Sequence, residues 1–114
     1  MLPPVKLLGR EIHFKAYRSR KNNGEWHYDK ATVFVKKGLD PTEERDVVFH
    51  ELTHAVSDLM NLDLTENQVT LIATAWISLL HDNPHLYEYL KKSLPEDMPS
   101  HKSVSESVHK PHTT

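Results

Sequence analysis

The chain of 114 residues contains no cysteine, only three glycines and no long apolar run. The absence of cysteine excludes disulfides, thiol catalysis and every zinc site built on thiolates. No stretch approaches the roughly 20 apolar residues that a membrane-spanning helix needs, so we expect no membrane association. The first residues lack the charged and apolar regions of a signal peptide, and we therefore expect a cytoplasmic protein.

The chain also has no large excess of charge of one sign. It contains 14 Lys and Arg and 16 Asp and Glu, which gives a net charge of −2. Domains that bind nucleic acid usually concentrate basic residues, so this balance leads us to expect no nucleic-acid partner. What the chain does contain is histidine, with nine residues. Any metal or acid–base chemistry here must therefore use His, Asp and Glu side chains.

The N-terminal third has the composition of β-strands. Residues 5–8 form a short apolar run, and residues 12–17 alternate between apolar and polar side chains. Further strands are predicted at residues 25–28 and 31–36, after a Lys-Asn-Asn-Gly turn at residues 21–24. We predict three or four antiparallel strands. Residues 31–36 can offer an edge on which an extended peptide binds, but we expect them in the interior of the sheet.

A helix is predicted from Pro41 to about residue 60. Asp40 can cap its start, Pro41 suits the first helical position, and Glu43 stands where a capping-box carboxylate belongs. This helix and the strands before it predict an α+β fold.

A second helix is predicted to begin after Thr65 and to end near residue 82, before the Asn-Pro pair that disfavours its continuation. A short third helix is predicted over about residues 85–93. Trp76 lies on the apolar side of the second helix, and we expect it in the core.

The composition changes after Leu94. Residues 95–114 contain three of the seven prolines, many Ser and Thr, and only three apolar side chains. Such a segment cannot bury enough surface to offset its ordering entropy, so we predict a disordered tail. Residues 1–94 then form one domain.

The first predicted helix contains an HExxH sequence, from His50 and Glu51 to His54. Residues four apart lie on the same side of a helix, so the two imidazoles can bind one zinc ion at about 2.0–2.1 Å. Glu51 lies about 100° around the helix from His50 and can act as the general base on a zinc-bound water. The alternative is that both histidines are ordinary solvent-facing residues.

A third ligand would separate these two interpretations, because catalytic zinc usually takes three protein ligands. Glu66 is the best candidate, because it opens the second helix in line with the apolar positions of that helix, where a carboxylate needs a partner. It can also be a solvated first-turn residue that favours the helix dipole. Asp58, one turn beyond His54, is an alternative ligand, a carboxylate that holds a ligand imidazole, or an exposed polar residue. Weaker candidates are Asp63, His81 and His85.

The HExxH motif, the Leu-Thr-Glu-Asn-Gln-Val segment at residues 64–69 and the Asp-Asn-Pro segment at residues 82–84 resemble small HExxH proteins of phages and mobile elements. These proteins belong among, or near, the ImmA/IrrE-type zinc metallopeptidases. The resemblance covers residues 5–94 and implies a minimal zincin fold, in which a small antiparallel sheet packs on the active-site helix and the following helix delivers the third ligand.

The resemblance implies that His50, His54 and Glu66 bind Zn²⁺ in a gluzincin-like site and that Glu51 is the catalytic glutamate. Such enzymes often add a His or Tyr that stabilises the oxyanion. The candidates for that role are His27, Tyr28, His85 and Tyr87.

The predicted function is a zinc-dependent metallopeptidase that hydrolyses peptide bonds in a protein or peptide substrate and is encoded by a phage or prophage. The alternative is a catalytically inactive zinc-binding protein that acts by binding a host or phage partner. A third interpretation is a helical interaction module in which the HExxH sequence is accidental.

Overall fold

The computed structural model of the protein describes residues 2–93. The predicted disordered tail, residues 95–114, lies outside the described residues. The described chain forms four strands and three helices, which confirms the predicted α+β class. The elements are β1 Val5–Leu7, β2 Arg10–Tyr17, β3 Gly24–His27, β4 Thr32–Lys36, α1 Pro41–Leu59, α2 Glu66–Asp82 and α3 Pro84–Ser93.

The four strands form one sheet in the order β1-β2-β4-β3. The pairs β1–β2 and β3–β4 are antiparallel, but β2 and β4 are parallel, so the sheet is mixed where we predicted only antiparallel pairs. The cause is the position of β4, which turns back from β3 and enters the space between β2 and β3. Because β3 already runs opposite to β2, a strand that is antiparallel to β3 must run parallel to β2.

The interior position of β4 agrees with the prediction for residues 31–36 and follows from its side chains. Val33 and Val35 have no exposed surface and pack with Ile12 of β2 and Val48 of α1 in the core. Burying these apolar groups removes them from water, so the most apolar strand is the one that takes the centre of the sheet. Beyond β4 the outer strand is β3, and one side of its backbone has no strand partner among the described residues.

Both long helices begin where their capping residues predict. The Asp40 carboxylate accepts a hydrogen bond from the Glu43 N–H at 2.8 Å, and the Glu43 carboxylate accepts one from the Asp40 N–H at 3.3 Å. Thr65 and Gln68 make the same reciprocal pair at the start of α2. Each pair satisfies two backbone donors that the first turn of a helix leaves without a partner.

Trp76 is not in the core, contrary to the prediction, because 51% of its surface is exposed. Only Val69 and Ala73 of α2 are buried, so the covered strip of the helix is narrower than its apolar arc. Trp76 instead lines an apolar groove of about 280 Å³ together with residues of β1 and α1. No helix in the described part of the chain is long and apolar enough to cross a membrane.

Candidate metal centre

The middle of α1 presents the HExxH residues on the side of the helix predicted from their spacing. His50 and His54 are half-buried, with 23% and 28% of their side chains exposed, and their ring centroids lie 5.0 Å apart. Glu51 is turned further inwards and is only 8% exposed. The helix therefore exposes the two imidazoles to solvent and directs the Glu51 carboxylate towards the protein interior.

The connection between α1 and α2 determines where the third candidate lies. The Ser57 hydroxyl accepts a hydrogen bond from the Leu64 N–H at 3.0 Å, and the Ser57 carbonyl accepts one from the Leu62 N–H at 2.9 Å. Asn61 and Asp63 have positive φ angles of 55°, a conformation that these two residue types adopt more readily than most. The chain is thereby reversed within a few residues, and α2 begins beside the last turns of α1.

Glu66, the first residue of α2, contacts both histidines of the motif. Its carboxylate lies 2.5 Å from His50 Nε2 and 3.1 Å from His54 Nε2. In a tetrahedral zinc site, ligand atoms lie about 3.3 Å apart when each bond is about 2.0–2.1 Å. One ligand atom from each of these three residues lies within 4.8 Å of the others, a separation that a metal ion can bridge.

The contact of Glu66 with the two histidines agrees with the prediction from the sequence, but burial of the carboxylate is not its cause. We expected the Glu66 carboxylate to face a buried surface, whereas 70% of its side chain is exposed. Desolvation acts to raise the pKa of Glu66, but hydrogen bonds from His50 and His54 outweigh it and lower the pKa below its ordinary value. The carboxylate is therefore ionised and suited to a cation.

Glu51 lies in a different electrostatic environment. Burial raises the pKa of Glu51 from 4.5 to about 7, and the negative charges of Glu66 and Glu25 act in the same direction, against the opposing effect of His50. No group in the described residues donates a hydrogen bond to this carboxylate. A carboxyl group with a pKa close to neutral can both accept and return a proton at physiological pH.

Asp58, the alternative ligand, is engaged elsewhere. Its carboxylate accepts a hydrogen bond of 2.7 Å from the Trp26 indole nitrogen. It does not join the group formed by His50, His54 and Glu66. Nor does it hold a ligand imidazole, so the structure gives Asp58 the role of anchoring β3 to α1.

The strand β3 forms one wall of a pocket beside the HExxH residues. This pocket of about 360 Å³ is lined by Glu25, Trp26, His27, Glu51, His54 and Asp58. A second pocket of about 470 Å³ lies between α1 and α2 and includes His50. The candidate metal centre thus lies between two open depressions.

Gly24, which the sequence predicts only as part of a turn, also contributes to the site. A Cβ atom at this position would collide with Val47 Cγ1 and would lie 3.1 Å from Glu51 Cγ. Glycine therefore lets the start of β3 lie directly against the motif helix. The available signal was a glycine at the start of a strand, which often marks a close backbone approach.

Of the four candidates for oxyanion stabilisation, only His27 lines this pocket. Its Nε2 lies 3.0 Å from Glu25 Oε1, and its ring packs edge-on against Phe34. Tyr28 lies beneath the Arg10 guanidinium, with 52% of its surface exposed. The other two candidates, His85 and Tyr87, lie on α3, which packs against α2.

The weaker ligand candidates do not join the metal-binding group in the described residues. His81 pairs with its neighbour Asp82 at 3.1 Å, and Asp63 lines a separate small pocket at the end of α1.

No protein-family model, no curated protein and no solved structure matches the chain. The resemblance to the ImmA/IrrE-type metallopeptidases therefore stays a prediction that rests on the motif and two short segments.

Proposed function

We propose that the protein is a zinc-dependent metallopeptidase that hydrolyses peptide bonds in a protein or peptide substrate. The observation that carries the proposal is the convergence of His50, His54 and Glu66, whose ligand atoms lie within 4.8 Å of one another, beside the buried carboxylate of Glu51. Two imidazoles and one carboxylate are a donor set that suits catalytic zinc and leaves one position for water.

In this proposal His50, His54 and Glu66 hold the ion and Glu51 does not. When bound, zinc supplies a Lewis acid that lowers the pKa of a coordinated water to about 7 and polarises the substrate carbonyl. Glu51 would act as the general base that accepts a proton from the attacking water and would return that proton to the leaving amine. Burial makes Glu51 a stronger base than an exposed carboxylate, which favours the first of these transfers.

The substrate is expected to bind as an extended chain along the free edge of β3. This edge borders the pocket that contains Glu51 and His54, so a peptide paired with it would pass over the proposed zinc ligands. His27 borders the same pocket, but its ring packs on Phe34 across the sheet face that points away from α1, so we assign it no role as the donor to the oxyanion.

The proposal is tested by metal analysis together with a peptide-library cleavage assay on the wild type and on Glu51→Gln. Both proteins should hold about one zinc per chain, and only the wild type should cleave. Loss of zinc in Glu51→Gln would mean that the role of Glu51 is misassigned, and a protein that takes up no zinc would contradict the proposal. Zinc binding with equal, background-level hydrolysis in both proteins would favour the inactive zinc-binding protein.

A phage origin and a cytoplasmic location stay predictions.

A further inference from the structure

The total charge of the chain is close to neutral, but its two parts carry net charges of opposite sign. Residues 1–38, which contain the sheet, carry nine Lys and Arg against three Asp and Glu. Residues 39–93, which contain the helices, carry three Lys and Arg against ten Asp and Glu. The net charge of the whole chain is therefore a poor guide to the partners of the sheet.

Six of the nine Lys and Arg residues in residues 1–38 lie at or near one end of the sheet, where β2 and β4 both finish. The Lys37 N–H donates to the Tyr17 carbonyl at 2.9 Å, and the Lys36 N–H donates to the Asn23 carbonyl at 2.8 Å. These bonds hold the end of β4 against the loop that follows β2. The basic cluster so formed consists of Lys15, Arg18, Arg20, Lys21, Lys36 and Lys37.

The basic cluster has no internal countercharge that would explain it. None of its six side chains forms an ion pair with the described residues, and all except Lys36 are exposed. Glu25 of β3 lies on the same side of the sheet as Lys15 and Lys36, but its carboxylate is already engaged by Asn22 Nδ2 at 3.2 Å and by His27 Nε2 at 3.0 Å. Unpaired cations gathered on one surface repel each other, so they favour an anionic partner.

A row of rings crosses the sheet beside the basic cluster. Tyr17, Phe34 and His27 lie on β2, β4 and β3, and their centroids are separated by 5.7 Å and 4.7 Å in turn. The strand register places them on the face opposite the core, on the same side as Lys15 and Lys36. Among the described residues no helix packs on this face, because α1 lies on the other one.

We propose that this sheet face and its basic cluster bind single-stranded nucleic acid. Aromatic rings on a sheet can stack on unpaired bases, and surrounding Lys and Arg side chains can contact the phosphates. An acidic protein segment or an anionic membrane would use the cations but would not need the ring row, so the observations favour nucleic acid. The proposal departs from the expectation drawn from net charge, and it does not depend on zinc or on peptidase activity.

The test is fluorescence anisotropy of a labelled 12-nucleotide single strand, DNA and RNA in parallel, titrated with the full chain in EDTA at several salt concentrations. The wild type should bind with a log–log salt slope of about −3, which corresponds to about four phosphate contacts on a single strand. Replacing three cations in Arg18→Gln/Arg20→Gln/Lys21→Gln should weaken binding at least tenfold and bring the slope about two units closer to zero.

The matched control removes the same charge from the helices, in Arg45→Gln/Lys91→Gln/Lys92→Gln, and should bind within twofold of the wild type. Equal weakening by both triple variants would overturn the proposal, because it would show an effect of net charge alone.

Tyr17→Leu tests the contribution of the ring row. It keeps an apolar side chain but removes a stacking ring, so it should weaken binding about fivefold or more. Circular dichroism confirms that each variant is folded. Poly-glutamate and vesicles with anionic lipid serve as competitors. If either competes as well as the oligonucleotide and Tyr17→Leu binds like the wild type, the surface is a general anion or membrane site and the proposal is wrong.

Discussion

Replacing Glu51 with glutamine is expected to stabilise the metal-free protein at pH 8 and to have little effect at pH 5. The carboxyl is 8% exposed, and burial raises its pKa from 4.5 to about 7. Between these two values the unfolded chain releases a proton that the folded chain retains, so the folded state loses stability as the pH rises from 4.5 to about 7. Glutamine is neutral at every pH in this range, so the stability of the variant does not fall through this titration.

The magnitude follows from the two pKa values of Glu51. Their difference corresponds to about 3 kcal/mol at most. Solvent in the adjoining open pocket reaches part of the carboxylate, so we expect about 2 kcal/mol after allowing for screening. For a domain of this size, 1 kcal/mol changes the melting temperature by about 4–8 °C, and the variant should therefore melt about 10 °C higher at pH 8.

The assay is urea unfolding in EDTA at pH 5 and pH 8, on the wild type, Glu51→Gln and the control Glu88→Gln. Glu88 is a good control because its side chain is 62% exposed. Its variant should differ from the wild type by less than about 0.5 kcal/mol at both pH values. The reasoning would be refuted if Glu51→Gln differed from the wild type by the same amount at pH 5 and pH 8, or if it were the less stable protein at pH 8.

Two further predictions concern the ligand set and the position of β3. Glu66→Ala should weaken zinc binding by at least tenfold in a competition titration, because a proposed ligand is lost, whereas Asp58→Asn should change the zinc affinity by less than threefold. An inverted order would make Asp58 the ligand. Gly24→Ala should lower the free energy of unfolding by about 1–3 kcal/mol in urea denaturation, because the new Cβ collides with Val47. Unchanged stability would mean that β3 can move away from α1 without cost.

Several local features of the fold could be predicted because they depend on neighbouring residues. The capping pairs of Asp40 with Glu43 and of Thr65 with Gln68 place the starts of α1 and α2. The helical spacing of His50 and His54 places both imidazoles on one side of α1. These are consequences of backbone geometry over one or two turns.

The order of the strands and the exposure of Trp76 could not be predicted in the same way. Periodicity shows which residues share a face but does not show which strand lies beside which. It therefore could not reveal that β4 enters between β2 and β3 and makes one pair parallel. Nor could it show how much of the apolar arc of α2 would be covered by α1.

The candidate site likewise contains some features that follow from the local sequence and others that follow from tertiary packing. The sequence by itself determined the HExxH helix, the start of α2 and the choice of donor types, because these depend on residue chemistry at short spacing. Only the tertiary structure decided that Glu66 rather than Asp58 meets the two histidines, and that short basic segments around Arg18 and Lys36 join in one cluster. Such contacts join residues far apart in the chain, and their positions follow from the packing of the whole domain.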